Sequence, residues 1–438
     1  MASRGDIKLQ DIQPNLYKDW PVIPFDKSIE ETGSYIKIKS SEYNNNGLYP
    51  VIDQGEKYIS GYINDSNSLY KGNLPIIIFG DHTRNIKYVD SEFAVGADGT
   101  KILHPIKQLY SKFYYYYLKA LTIPNLGYSR HYSILRRVDV PLPSLAEQKR
   151  IADKLDTLFG QLNTIQKAFE RIPELIKRFR QQVLTYAVTG KLTKEWRDRE
   201  RILNEYREFK YSEHREYNFE IPDQWILLSF ADVVSIESNL VNPIDYPKLP
   251  LIAPDNIESM TGRIISKPTV EEINPKSPKH LFSSNSLLYS KIRPYLSKIA
   301  YVDFNGLCSA DMYPLKTSLN IHYLYYYMLS PEFLYYATTA GERIVLPKIN
   351  RKGLNIIPIP IPSIEEQKEI VRRIDSIFKK LETVEQQYNA LKAKIEKLPQ
   401  ALLNKAFRGE LVDQLPSDGS AENLLKEIEQ FKRSTKKK

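Results

Sequence analysis

The chain has 438 residues, enough for two or three domains each with its own core. Its 42% hydrophobic and 26% charged residues, with no long apolar run and no signal-peptide stretch after Met1, exclude a disordered or membrane-spanning chain, and the single cysteine, Cys308, excludes a disulfide framework and suits a reducing cytoplasm. An excess of 62 Lys and Arg over 53 Asp and Glu leaves a charge of +9 and favours a polyanionic partner, while six scattered histidines form no Cys/His cluster at metal-ligand spacing.

Residues 1–142 read as a globular domain. LPIIIFG (74–80) predicts a buried strand, and SKFYYYYLKAL predicts a helix whose tyrosines serve the core and its margins rather than base stacking. Residues 143–192 predict a long helix. It starts at an S-x-x-E capping box, Ser144 and Glu147, directly after a proline, and stops at Gly190, where a left-handed residue is wanted. Between them Ile151, Leu155, Leu158, Leu162, Ile165, Phe169, Ile172, Ile176, Phe179 and Val183 recur in alternating steps of four and three, the seam of a coiled coil. Such a helix would run roughly 70 Å at ~1.5 Å per residue.

Residues 193–217 continue as a linker helix. A second globular segment, 218–361, holds SLLYSKI (286–292) as a strand and IHYLYYYMLSPEFLYY as tyrosine-rich helix; it shares a plan with the first but aligns with it at no fixed offset. Residues 362–411 then repeat the helix. PLPSLAEQKRIADKLDTLFGQLNTI from Pro141 returns 219 residues on as PIPSIEEQKEIVRRIDSIFKKLETV from Pro360, and the register holds to Leu192 and Leu411. Ser363, Glu366 and Gly409 take the cap and stop positions, and the two helices would most simply pair with each other. Pro173 and Pro399 lie within the periodic runs, so each helix is expected to kink or split. The tail, 412–438, echoes the linker: LLKEIEQFKRS (424–434) resembles ILNEYREFKYS (202–212). It is therefore expected to pack near Trp20, as the linker segment packs near Trp225, with Lys436 to Lys438 as a frayed end.

A nearly constant helical frame repeated twice, carrying two divergent globular segments, resembles the specificity subunits of type I restriction-modification systems. The resemblance rests on the two proline-led helices, on RFRQQVLTYAVTGKLT and LLNKAFRGELV, and on PVIDQGEKYISGYI (50–63), FGDHTR (79–84), PDQW (222–225) and SKIRPYL (290–296). It departs at the first domain, which opens with LYKDWP in place of proline-glycine-tryptophan. What the resemblance implies is a mixed α/β fold with two target-recognition domains separated by an antiparallel coiled coil in a pseudo-twofold arrangement. The subunit would be cytoplasmic and non-catalytic and would hold no cofactor. It would bind double-stranded DNA, two methyltransferase subunits and two restriction subunits, which would carry S-adenosylmethionine, ATP and Mg²⁺. The sequence holds no G-x-x-x-x-G-K-[ST] loop and no N/D-P-P-Y/F tetrapeptide. The E-x-K strings at Glu147 and Glu366 sit in capped helix turns and read as caps. The alternative is an enzyme, the specificity half of a split or fused restriction-methyltransferase.

Arg and Lys read guanine and Asn and Gln read adenine in the major groove, so clustered polar loops supply the candidates. In the first domain these are Asp81, His82, Thr83 and Arg84 of FGDHTRN and Arg130 and His131 of GYSRHYS, with Gln54 and Lys101 in addition. In the second they are Lys291, Arg293 and Tyr295 of SKIRPYL and Lys348, Asn350 and Arg351 of PKINRKG. The first six are expected to be exposed.

Overall fold

A computed structural model describes residues 8–97, 99–127, 129–203, 220–339 and 347–435, with side chains described to 199 in the linker helix and to 430 at the C-terminal end. Its principal helices are α1 (Ser111–Ala120), α2 (Tyr132–Leu135), α3 (Leu145–Phe169), α4 (Ile172–Val188), α5 (Lys194–Leu203), α6 (Ile321–Leu329), α7 (Arg351–Asn355), α8 (Ile364–Phe407) and α9 (Ala421–Thr435). Ser144 and Ser363 cap as expected: each Oγ accepts the N–H of the glutamate three residues on at 3.2 Å. The first long helix splits into α3 and α4 just ahead of Pro173, which then occupies the first turn of α4, where its missing N–H costs nothing. Pro399, against expectation, leaves α8 unbroken. Tertiary packing holds that turn: Leu403, Ala406 and Phe407 are buried, and Gln400 Nε2 donates to the carbonyl of Ala120 at 2.9 Å.

The chain divides into two compact units, one formed by residues up to Glu170 and from Ala390 onward, the other by Arg171–Asn389. Each unit joins the start of one helical copy to the end of the other, the antiparallel sense. Ile151, Ala152 and Leu155 share the first core with Leu403, Ala406 and Phe407, and Val183, Leu184, Ala187 and Val188 share the second with Ile370, Ile374 and Phe378. The middle of the apolar stripe is not core. Ile165, Phe179, Val384, Leu391 and Leu398 are exposed, the least of them by 40%.

Both units use one sheet plan that the alignment of the sequences hides. In the first, strands β1 (Val22–Pro24), β2 (Ile29–Glu30), β3 (Ile76–Gly80), β4 (Ile86–Val89), β5 (Thr100–Pro105) and β6 (Asp139–Pro141) give an antiparallel sheet in the order β2-β5-β3-β4 and a separate β1–β6 pair. In the second, β7 (Ile226–Ser229), β8 (Val234–Ile236), β9 (Ser286–Ser290), β10 (Ile299–Val302), β11 (Met312–Thr317) and β12 (Pro358–Ile361) repeat it as β8-β11-β9-β10 with a β7–β12 pair. The apolar runs LPIIIFG and SLLYSKI supply β3 and β9, buried along their whole length as sheet centres should be. A second, smaller sheet differs. Ala94–Gly96 runs parallel to both neighbours in the first unit, whereas Gly306–Cys308 has one parallel and one antiparallel neighbour in the second.

The same side chains fasten sheet to helix in each unit. The indole of Trp20 donates to Glu147 Oε2 at 3.2 Å, and that of Trp225 to Glu366 Oε2 at 2.9 Å. These glutamates are therefore not caps through their carboxylates: both are buried acceptors for a tryptophan. The next residue does the matching task for the tyrosine-rich helix. Gln148 Oε1 accepts from the N–H of Tyr110 at 2.7 Å and Gln367 Oε1 from that of Asn320 at 2.9 Å, the residues that open α1 and α6. Within those helices Tyr117 and Tyr327 are fully buried and donate to the carbonyls of Asp139 and Pro358 in β6 and β12. Tyr116 and Tyr326 donate to Asp156 and Asp375, 219 residues apart in the repeated helices. The tyrosines are core and joint, as the sequence indicated.

Gly190 and Gly409 both take left-handed backbone, φ 72° and 73°. A Cβ on Gly190 would strike the Pro222 ring and one on Gly409 the Tyr17 ring, so each glycine also admits the residue three before the joint tryptophan. In the first unit the tail packs by the partly buried Leu424 and Leu425 and the buried Ile428 into the core that contains Trp20, and Asp418 pairs with Arg150. The mirrored docking expected of 202–212 near Trp225 falls outside the residues whose side chains are described, as do the side chain of Phe431 and the Lys436 to Lys438 end.

Candidate nucleic-acid interface

In the first unit the candidate site is the turn that leaves β3. Gly80 ends the strand and the chain reverses on its own backbone, Arg84 N–H donating to the Gly80 carbonyl at 2.7 Å and Gly80 N–H to that of Asn85 at 2.8 Å. Closing this turn puts Arg84 at φ 65°, a conformation that costs a non-glycine residue about 1 kcal/mol. Gln54 clamps it from outside the turn: its Oε1 accepts the His82 N–H at 3.0 Å, and its carbonyl accepts Thr83 Oγ1 at 2.5 Å and Asn85 Nδ2 at 3.0 Å. Gly99 is needed beneath it, because a Cβ there would overlap Gln54 and His82.

Six of the eight first-domain candidates thus gather on one joint: Gln54, Asp81, His82, Thr83, Arg84 and His131. Four of the six loop residues are not exposed and correct the expectation: His82 and Arg84 are half-buried, and two are buried outright. His131 is 0% exposed and Asp81 4%. The Asp81 carboxylate is taken by the Tyr132 N–H at 2.8 Å, and its carbonyl by the His131 N–H at 2.8 Å and ring Nδ1 at 2.9 Å, so neither side chain can meet a base. Thr83 and Arg130 are exposed. Lys101 lies on β5 with its Nζ 5.5 Å from the Tyr132 ring centre, beside the same turn.

In the second unit the turn leaving β9 carries Lys291, Arg293 and Tyr295. It is bound to the segment 347–350 by backbone: Lys291 carbonyl accepts Ile349 N–H at 2.9 Å, and Arg293 N–H donates to Pro347 at 2.8 Å. Arg293 is again left-handed, φ 49°, and its exposed guanidinium has no partner among the described residues. Tyr295 is 49% exposed beside it. Lys348 pairs with Asp311 at 3.1 Å, Asn350 caps α7 by accepting the Gly353 N–H at 2.8 Å, and Arg351 donates to the Ile236 carbonyl at 3.3 Å. Burial holds the Lys291 ammonium below its usual range, repulsion from Lys348 adds to this, and Asp311 opposes it. Lys291 Nζ also lies 5.0 Å from the Tyr313 ring centre.

Asp311 and Asn85 escaped the sequence reading, although the asparagine inside FGDHTRN was a visible signal. Among the described residues no group of three or more His, Cys, Asp or Glu could hold a metal ion. No described helix is long and apolar enough to cross a membrane.

A family model described as the type I restriction modification DNA specificity domain matches the chain twice, over residues 25–174 and 231–393. The chain belongs to the type I restriction specificity subunits. The two matched stretches each take in the four-stranded sheet, the smaller sheet and the start of a repeated helix. The EcoDI specificity subunit of Escherichia coli is 36% identical over 429 residues, covering 93% of this chain and 95% of that protein. The EcoBI specificity subunit of Escherichia coli is 29% identical over 457 residues, covering 94% and 92%. The fold agrees with that of the HsdS subunit from Thermoanaerobacter tengcongensis, TM-score 0.56 at 16% identity, over 90% of this chain and 98% of that one. A chain from a structural study of assembly and conformational transition of the type I R-M system gives 0.61 at 15% identity, over 90% and 99%. This chain is accordingly a DNA-recognition component of a restriction-modification system.

Proposed function

We propose that each unit of this specificity subunit reads one half of a split DNA target, that the repeated helices set the unread gap, and that they dock two methyltransferase subunits and two restriction subunits. The observation that carries this is the pairing of sameness and difference in the two units. The Trp–Glu and Gln joints, the tyrosine helices and the four-stranded sheets repeat, while the turns leaving β3 and β9 carry different polar side chains. One frame with two different readers suits two unlike half-sites. Phosphate contacts from the +9 chain would give register and salt-dependent affinity, and the turns would give sequence. S-adenosylmethionine, ATP and Mg²⁺ would serve the partner subunits, and the assembled complex would work in the cytoplasm.

Selecting bound duplexes from a randomised library tests the reading. Two short enriched blocks at fixed spacing are expected, and one continuous block would overturn it. Incubating the pure chain with DNA, Mg²⁺ and S-adenosylmethionine separates it from the enzyme alternative, since cleavage or methyl transfer by the chain alone would favour the enzyme.

A further inference from the structure

We infer that His131 and Arg84 are positioning residues which lock the two recognition loops of the first domain into a single rigid reader, rather than base-reading residues; the inference rests on the half-site reading above.

Four bonds tie the turn after β3 to the segment that leads into α2. The His131 N–H and its ring Nδ1–H both donate to the Asp81 carbonyl, at 2.8 and 2.9 Å, and Nε2 accepts the Leu126 N–H at 3.2 Å. The partners fix the tautomer, because a carbonyl can only accept and an amide N–H only donate. The Asp81 carboxylate closes the third bond on the Tyr132 N–H at 2.8 Å. Arg84 adds the fourth from the other loop: its Nη1 donates to the Ile123 carbonyl at 3.1 Å, and its Nε is sealed from solvent. With Gln54 holding the turn on its far side, the turn is bonded on both flanks, and the exposed Thr83 and Arg130 are presented from a fixed base.

The second domain supplies the contrast. Asn350 caps α7 where His131 precedes α2, and it spends its side chain on that cap. The corresponding loops are joined, among the described residues, by backbone bonds alone, and the exposed Lys348–Asp311 pair ties the second of them to the turn before β11 instead. Both domains place an arginine in the left-handed region just after the central strand. Arg293 leaves its guanidinium to solvent, whereas Arg84 turns inward to a carbonyl. An arginine kept at a strained position where glycine or asparagine would sit more easily needs a reason. At Arg84 the reason is the reach to Ile123.

A residue that reads a base and one that aims a loop leave different marks. In a cognate site each mismatched pair costs about 5- to 150-fold in affinity. Full-length wild type, Arg84→Gln and His131→Ala are compared for binding to duplexes that carry every single base-pair change in the target, at one salt concentration. For both variants the penalty is expected to shrink together at all positions of the same half-site, by roughly tenfold where it was largest, with the other half-site and random duplex within about twofold of wild type. His131→Asn, which keeps a donor for Asp81, is expected to recover part of the loss. Loss confined to one base pair in Arg84→Gln would make Arg84 a reader, and equal loss at both half-sites in either variant would make the joint merely structural; each overturns the inference alone. Should His131→Ala fail to fold, Arg84→Gln decides by the same profile. A continuous site in the wild type would overturn the half-site reading as well.

Discussion

Replacing Trp225 by phenylalanine tests the joint between sheet and helix. Trp225 is fully buried, and its indole N–H reaches Glu366 Oε2 at 2.9 Å, while Thr193 Oγ1 at 2.7 Å and Arg197 hold the other oxygen. Losing a hydrogen bond to a buried charged group costs about 1.5–3 kcal/mol. The smaller ring leaves a void on the order of 40 Å³, worth about 1 kcal/mol at ~24 cal/mol per Å³. The carboxylate keeps Thr193 and Arg197, so the expected sum is roughly 2.5–4 kcal/mol. For a unit of about two hundred residues that lowers the melting temperature by roughly 5–15 °C. Calorimetry should show the shift in one transition, with the unit containing Trp20 unmoved. A change under about 2 °C would refute the assignment of Glu366 as a stabilising acceptor.

Three further outcomes follow from named contacts. Arg293→Ala should weaken binding to cognate DNA by about 1–3 kcal/mol at one half-site and leave random duplex unchanged; equal weakening on both, with a smaller salt slope in filter binding, would make it a phosphate contact. Burial holds the Glu147 carboxyl above the usual range, against hydrogen bonds from Gln414 and Trp20 that lower it. A raised folded-state value gives stability that is present below the unfolded value, near pH ~4.3, and lost as pH rises through the folded one. Glu147→Gln, which still accepts from Trp20 but cannot ionise, should therefore gain on wild type in urea midpoint as pH rises above ~4.3; a constant difference contradicts this. Removing seven residues from each repeated helix, 162–168 and 381–387, keeps the heptad phase, shortens each by about 10 Å, and should shrink the preferred gap by about three base pairs or abolish activity.

The helices were legible because a heptad stripe, a serine cap and a stop glycine are local signals, and because they occur twice at one offset. The split at Pro173 and the continuity through Pro399 were not separable in sequence, since only packing around Leu403 and Phe407 decides the second. Burial of Glu147 and Glu366 contradicted their reading as caps. The available signal was a tryptophan ahead of each domain, three residues after the residue that meets the stop glycine. The shared sheet was hidden because its strands are short and the loops between them differ in length. In the candidate site, polar loops were found by composition, but composition cannot tell Arg84, turned in to Ile123, from Arg293, turned out. Nor does it show that His131 is sealed between two loops.

The split-target reading meets its sharpest test in the methylome of cells that express this chain with its methyltransferase. One modified motif made of two unlike blocks at a fixed spacing is expected, with one block altered by Arg293→Ala and the other untouched. A motif that is continuous, or one in which that single substitution alters both blocks, would contradict it.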